Sequence, residues 1–237
     1  RGEEWLSSVP VHLELFKIFD FKLPKFAHLG LLMKIDPETG VRRKLSKRKD
    51  QEAAVSYYYQ QGIPIEAVKL YLLTIANSNF EEYYNQNLDI NKFKFDFKKI
   101  SLSGSLFDLE KLLNISKNYL SRLSAQELFN KLDVYTKEFD LDFNKLINKY
   151  QEYTVNVLNI EREIKKPRKD FSSLSEIKNH IWYMYDELFK DLNYDFQTIN
   201  DLSEIDLILK EYLKYYQEND SQEEWFEKIK ELSEKMG

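Results

Sequence analysis

The sequence contains no cysteine, which excludes disulfides and every thiolate metal site. Histidine is almost as scarce: His12, His28 and His180 are the three in the chain, and their separation matches no zinc-ligand spacing. Long apolar runs are missing too. No stretch approaches the roughly 18 to 20 uninterrupted apolar residues a membrane helix needs. The N-terminal residues lack the basic-then-apolar order of a signal peptide, so a soluble cytoplasmic protein with no membrane partner is expected. No internal repeat at a fixed period appears.

What remains is ample for folding. The chain has 237 residues, 43% hydrophobic and 15% aromatic, enough for two compact domains with real cores. Its formal net charge of −5 argues against indiscriminate nucleic-acid binding, so a polyanion would have to be met by local patches. Residues 1 to 50 carry 11 Lys and Arg against 7 Asp and Glu, whereas residues 201 to 237 carry 5 against 11. The start of the chain is the part that can face phosphate.

Hydrophobic spacing predicts mostly helix. Val11, Leu15, Phe16 and Phe19 form one stripe over Pro10–Phe19, with Ser8 as the cap and Pro10 in the first turn. Phe26–Ile35 reads as a buried strand, turning at Asp36-Pro37-Glu38-Thr39-Gly40. Asp50 is expected to cap a helix through Gln61 that Gly62 stops, and Pro64 to open another through Ala76. Beyond residue 105, leucines at three-to-four spacing predict helices throughout, broken at Lys165-Lys166-Pro167-Arg168-Lys169-Asp170 and resumed near Ser175.

Six basic side chains crowd into Arg42-Arg43-Lys44-Leu45-Ser46-Lys47-Arg48-Lys49. Alone, such a run is the mark of a solvated strip or a nucleic-acid patch. Its core, Lys44-Leu45-Ser46-Lys47-Arg48, has the form of a class I aminoacyl-tRNA synthetase signature. The flanks Arg1-Gly2-Glu3-Glu4-Trp5-Leu6, Phe26-Ala27-His28-Leu29-Gly30-Leu31-Leu32 and Ser101-Leu102-Ser103-Gly104-Ser105-Leu106-Phe107-Asp108-Leu109-Glu110-Lys111-Leu112 follow in matching order. Together they resemble the second half of a bacterial glutamyl-tRNA synthetase. Asp36 to Val41 lengthens the approach to the signature, and Gly30 stands where the family often has proline.

The resemblance implies roles. Lys47 would contact the phosphates of ATP, with Lys44 and Arg48 orienting the loop, so these three are the catalytic candidates. The main-chain groups of Leu31 and Leu32 would lie against adenine. Arg1 would bind the glutamate carboxylate, a task suited to a fork of donors. It is the terminal residue, and poor positioning is expected. Trp5 would meet the nucleotide and the acceptor end of tRNA by stacking. Lys166 and Arg168, with Lys165 and Lys169 beside them, would face the anticodon; a charged linker is the alternative. His28 reads as a satisfied core histidine, and no residue is assigned to metal; magnesium would arrive with ATP.

The expected fold is mainly α: a remnant of an α/β class I nucleotide-binding fold followed by helical stem-contact and anticodon-binding domains. The divisions are residues 1–50 for the end of the catalytic domain, 51–120 for the stem-contact region, 121–168 for a first helical subdomain and 169–237 for a second, truncated one. The implied reaction is ATP-dependent ligation of glutamate to tRNA(Glu), with tRNA(Gln) left open and a monomer expected. The first residue is not Met, the first motif starts at Arg1 and no His-x-Gly-His motif occurs. The chain therefore reads as a C-terminal fragment, inactive alone. Glutaminyl enzymes, with β-barrel anticodon modules, match less well. The alternative of another class is a noncatalytic helical RNA-binding or adaptor module.

Overall fold

The computed structural model describes residues 1–100, 104–190 and 202–236. Contacts divide the chain into two compact units, Arg1–Asp186 and Glu187–Gly237.

The first unit opens with a 3-10 turn, Glu3–Ser8, that runs directly into α1, Val9–Ile18. Ser8 makes no side-chain cap, because its backbone is already helical (φ −89°, ψ −10°) rather than extended. The predicted apolar stripe of α1 faces outward: Val11, Leu15 and Phe19 are 61, 45 and 60% exposed. The expected strand over Phe26–Ile35 shortens to β1, Leu32–Ile35, none of it fully buried. Upstream of it, the backbone of Leu29 pairs with the segment Arg1–Glu3, through Leu29 N–H to the Arg1 carbonyl and Glu3 N–H to the Leu29 carbonyl.

β1 is the centre of a three-stranded sheet. Antiparallel β2, Arg42–Lys44, lies on one side with Lys34 opposite Arg43, and parallel β3, Ser105–Leu106, on the other with Met33 opposite Leu106. Residues 101–103 of the third matching segment lie outside the described residues.

Helix takes over after β2. A 3-10 turn at Gln51–Ala53 precedes α2, Val55–Gln60, so the helix expected from Asp50 begins later. Asp50 caps nothing: its carboxylate is already bound by Arg43 and by the Ser46 amide. Gly62 stops α2 at φ +70°, and α3, Ile65–Ala76, starts behind Pro64 as predicted. After α4, Phe80–Asn87, and β3 comes α5, Leu109–Ser121, capped by Asp108 accepting from Lys111 N–H at 3.0 Å. α3 packs on α5 around Tyr58, Ile63, Val68, Tyr71, Phe107 and Leu112. Within this core the rings of Tyr71 and Phe107 meet edge to face at 5.6 Å.

α6, Ala125–Phe139, begins with a capping box between Ser124 and Glu127. Asp140 ends it and caps α7, Leu141–Lys149, which leads into α8, Gln151–Leu158. α6 packs on both, burying Leu128, Leu132, Phe143 and Ile147. The predicted break at residues 165–170 is non-helical, and α9, Ile177–Ile181, follows it. The break is not the division between compact units, however. Leu174 N–H donates to the Gly62 carbonyl at 2.8 Å, the Ser175 hydroxyl to the Gln61 carbonyl at 2.8 Å and Lys178 to Asp140 at 2.7 Å. These bonds return the segment after the charge run to the first unit, which ends at Asp186, the first residue of α10, Asp186–Phe189.

In the second unit α11, Leu202–Tyr215, packs on α12, Gln222–Met236. Trp225 donates to the Tyr212 hydroxyl at 3.1 Å and Lys235 pairs with Glu211 at 2.9 Å. The architecture is mainly α, with one small sheet.

Candidate functional site

The basic run sits on the β1–β2 hairpin and the loop behind it. At the hairpin tip Asp36 accepts the amides of Glu38 and Thr39 at 3.1 and 3.2 Å, and Gly40 takes φ +69°, the left-handed geometry that suits glycine. The lengthened approach from Asp36 to Val41 is therefore an ordered turn.

Beyond β2 the chain closes on itself. Leu45 N–H donates to the Leu32 carbonyl at 2.8 Å, and the Ser46 carbonyl accepts from Lys49 and Asp50 at 3.0 and 2.7 Å. Ser46 N–H returns a bond to the Asp50 carboxylate at 2.9 Å. Arg43 grips the same carboxylate with two nitrogens, at 2.7 and 2.9 Å, and Asp36 with its Nε at 2.7 Å. Lys34, opposite Arg43 in the sheet, reaches Asp50 at 3.3 Å and also pairs with Glu52. Burial and pairing act together on Asp50, which is 3% exposed. The Arg43 hydrogen bonds hold its carboxyl well below the usual range, against the opposing effect of burial. Arg43 likewise draws Asp36 down to about 2, helped by the Thr39 amide. Lys34 is raised, first by its bond to Glu52.

The six basic side chains thus separate by role. Arg43 points inward, and Arg42 donates to the Gly104 carbonyl. Lys44 forms a loose pair with Glu4 at 3.4 Å. Lys47, Arg48 and Lys49 are exposed, with no side-chain ion pair among the described residues. Lys44, Lys47 and Arg48 line an open concavity of about 710 Å³ with Leu32, Leu45, Ser46 and Ala53. Cations above a small apolar floor, beside a hydroxyl and backbone amides, can take up a phosphorylated ligand.

The other predicted residues fall elsewhere. Leu32 lines the concavity, but its carbonyl is held by Leu45, and the Leu31 amide faces the Glu3 carboxylate at 3.4 Å. Arg1 is better anchored than expected. Its ammonium donates to the Ala27 carbonyl at 3.1 Å, while its guanidinium contacts His12 at 3.2 Å and lies 5.5 Å over the Trp5 ring. His28 is not satisfied in the way expected: its Nε2 is buried without a partner among the described residues. Arg168 pairs with Asp170 at 3.1 Å and Glu161 at 3.4 Å, beside exposed Lys166, on the segment after α8 and away from the lining of the concavity. Asp50, Lys34 and Glu52 were missed as loop anchors. An acid directly behind the basic run, and cationic residues opposite each other across the hairpin, were the available signals.

No family model matches the chain. Glutamate-tRNA ligase from Acetivibrio thermocellus aligns with all of it at 44% identity over 239 residues. The chain is a homologue of glutamate-tRNA ligases. The enzyme of that name from Clostridium perfringens is 39% identical over 247 residues, again along the whole chain. The chain spans 43 and 44% of these two ligases' lengths. A crystal structure of a glutamate-tRNA ligase from Elizabethkingia meningosepticum superimposes on 99% of the chain and 47% of that protein, with a TM-score of 0.63 at 18% identity, so the fold is shared. Among the described residues of this ligase homologue no helix is long and apolar enough to cross a membrane, and no group of three or more His, Asp or Glu is arranged to hold a metal ion.

Proposed function

We propose that this chain is part of a cytoplasmic glutamate-tRNA ligase, supplying its phosphate-binding loop and tRNA-contacting helices for ATP-dependent ligation of glutamate to tRNA(Glu). The observation that carries the reading is the closed Ser46–Asp50 turn, which presents Lys47 and Arg48 over the concavity that Lys44 also lines.

Attack of the glutamate carboxylate on the α-phosphate of ATP concentrates negative charge as pyrophosphate leaves. An ammonium at Lys47 meets that charge, and one well-placed donor of this kind contributes about 3 kcal/mol at a transition state. Lys44 and Arg48, which line the same concavity, orient the loop, and the backbone at Leu31 and Leu32 borders the nucleotide base. Magnesium would arrive with ATP and supply charge neutralisation at its phosphates, with no residue of this chain assigned to hold it. Arg1 is assigned to the glutamate carboxylate and Trp5 to the tRNA acceptor end. Residues 1–50 form the end of the catalytic domain and 51–120 the stem contact. The helices from 121 to 168 and from 169 onward receive the anticodon arm, with Lys166 and Arg168 as its basic contacts.

The test is a chimera in which this chain replaces the 43% of the Acetivibrio thermocellus ligase that it matches. The expected result is charging of tRNA(Glu) with glutamate, and Lys47→Ala lowering pyrophosphate exchange, measured with tRNA present, at least about tenfold, the equivalent of roughly 1.4 kcal/mol. An unchanged exchange rate in the Lys47→Ala chimera removes Lys47 from the site. A folded chimera that binds tRNA without charging it favours the adaptor alternative.

A further inference from the structure

We propose that Asp50, acting through Arg43, is the positioning residue of the phosphate loop: it ties the neck of the Lys44–Lys49 segment so that Lys47 and Arg48 stand at a preset place. The proposal rests on the reading of that segment as the phosphate loop.

The geometry is that of a knot. Arg43, the middle residue of β2, immediately precedes the Lys44–Lys49 segment, and Asp50 immediately follows it. Their bidentate bond, at 2.7 and 2.9 Å, joins the two sides. The Asp50 carboxylate also accepts Ser46 N–H from inside the loop, while the Asp50 amide donates to the Ser46 carbonyl at 2.7 Å. All three guanidinium nitrogens of Arg43 are engaged, on Asp50, on Asp36 and on the Lys44 carbonyl at 3.3 Å. The Asp50 side chain is 2% exposed and that of Arg43 21%, so water competes little for the pair. A loop of successive cations repels itself, and a floppy one would lose side-chain and backbone freedom on meeting a ligand. The knot removes part of that cost beforehand.

Charge and position predict opposite signs here, which makes the proposal sharp. Asp50 carries the same sign as a polyphosphate. Removing its charge makes the loop more attractive to an anion if Coulomb attraction is all that matters. If Asp50 positions the loop, removing it weakens binding.

The experiment is calorimetric titration of inorganic tripolyphosphate into the 237-residue chain at low salt, for wild type, Lys47→Ala, Asp50→Asn and the double variant. Circular dichroism confirms that each is folded. Expected are a loss of about fivefold for Lys47→Ala and, despite the gained positive charge, about fivefold for Asp50→Asn, with less than about twofold further loss when Asp50→Asn is added to Lys47→Ala. Asp50→Glu restores part of the affinity. Tighter or unchanged binding by folded Asp50→Asn overturns the proposal while leaving the loop's phosphate role intact. Absence of binding by wild type, or indifference to Lys47→Ala, removes the phosphate reading itself and the proposal with it. Should Asp50→Asn not fold, Arg43→Lys decides: it conserves charge and loses the fork, so unchanged affinity overturns the proposal and weaker binding supports it.

Discussion

Arg162 donates from its Nη1 to the main-chain carbonyl of Leu120 at 2.7 Å, at a place where Arg162 is only 7% exposed. The same guanidinium reaches the Leu123 carbonyl at 3.3 Å and, from Nε, the Leu158 carbonyl at 2.8 Å. Leu120 and Leu158 lie in the last turns of α5 and α8, where helix carbonyls lack intrahelical partners. One buried cation therefore caps two helices and joins them, favoured by the negative ends of both dipoles. Burial lowers its pKa, opposed by the charges of Asp170 and Glu163.

Arg162→Ala removes the charged donor from these carbonyls, leaving only the long bond from Leu123 N–H at 3.3 Å on that of Leu120, and is expected to destabilise the chain by about 2–4 kcal/mol. Urea unfolding measures it. A loss below about 0.5 kcal/mol would show that water replaces the guanidinium without cost.

Gly62→Ala is a second stability test. A Cβ there would lie 2.8 Å from the Ser175 amide nitrogen and 3.1 Å from Leu174, at a φ of +70°. The substitution is expected to cost about 1–3 kcal/mol through backbone strain and displacement of the 174–175 segment. A melting temperature equal to that of wild type contradicts the close approach.

The acid response follows from the lowered carboxyls of the hairpin. Asp36 and Asp50 are depressed in the folded chain by Arg43, so each adds stability above its unfolded pKa of about 3.9 that is lost as pH falls through the folded value. For Asp36 the window runs from about pH 4 down to about 2. Carbon-13 titration of its carboxyl should give a midpoint near the lower value; a midpoint near 4 would mean that Arg43 does not hold it in solution.

Arg168→Ala tests the anticodon proposal. Binding of tRNA(Glu), followed by fluorescence anisotropy across a salt series, should weaken more than binding of an unrelated tRNA. Equal loss for both makes Arg168 a phosphate contact alone. Because Asp170 and Glu161 already hold its guanidinium, Asp170→Asn is expected to tighten tRNA binding by up to about threefold. No change, or weaker binding, places Arg168 outside the contact.

Local signals explain what could be read from the chain. Pro64 and Gly62 marked a helix start and stop because their backbone limits are intrinsic to the residues, and α3 and the end of α2 fall where they indicate. The leucine spacing after residue 105 predicted helices, and Leu112, Leu128 and Leu132 are fully buried on them, but Leu106, in the same spacing, lies exposed on β3 and Leu141 is exposed on α7. The same reasoning failed at Ser8, Asp50 and the stripe of α1. A cap depends on whether its side chain is already engaged, and an amphipathic stripe is a core only if something packs on it.

The sequence by itself determined a mainly helical chain, a strand and turn leading into a basic run, and a match to glutamate-tRNA ligases, because propensity, periodicity and residue order are local properties. Tertiary structure decided which cations are available. Pairing of β1 with β2 sets Lys34 beside Arg43, and closure of the loop delivers Asp50 to both. Arg43 is thereby turned into a structural ion while Lys47 and Arg48 stay in solvent. That partition is set by which carboxylates the fold brings within about 3 Å, where a charge-assisted hydrogen bond forms, and no run of letters states that distance.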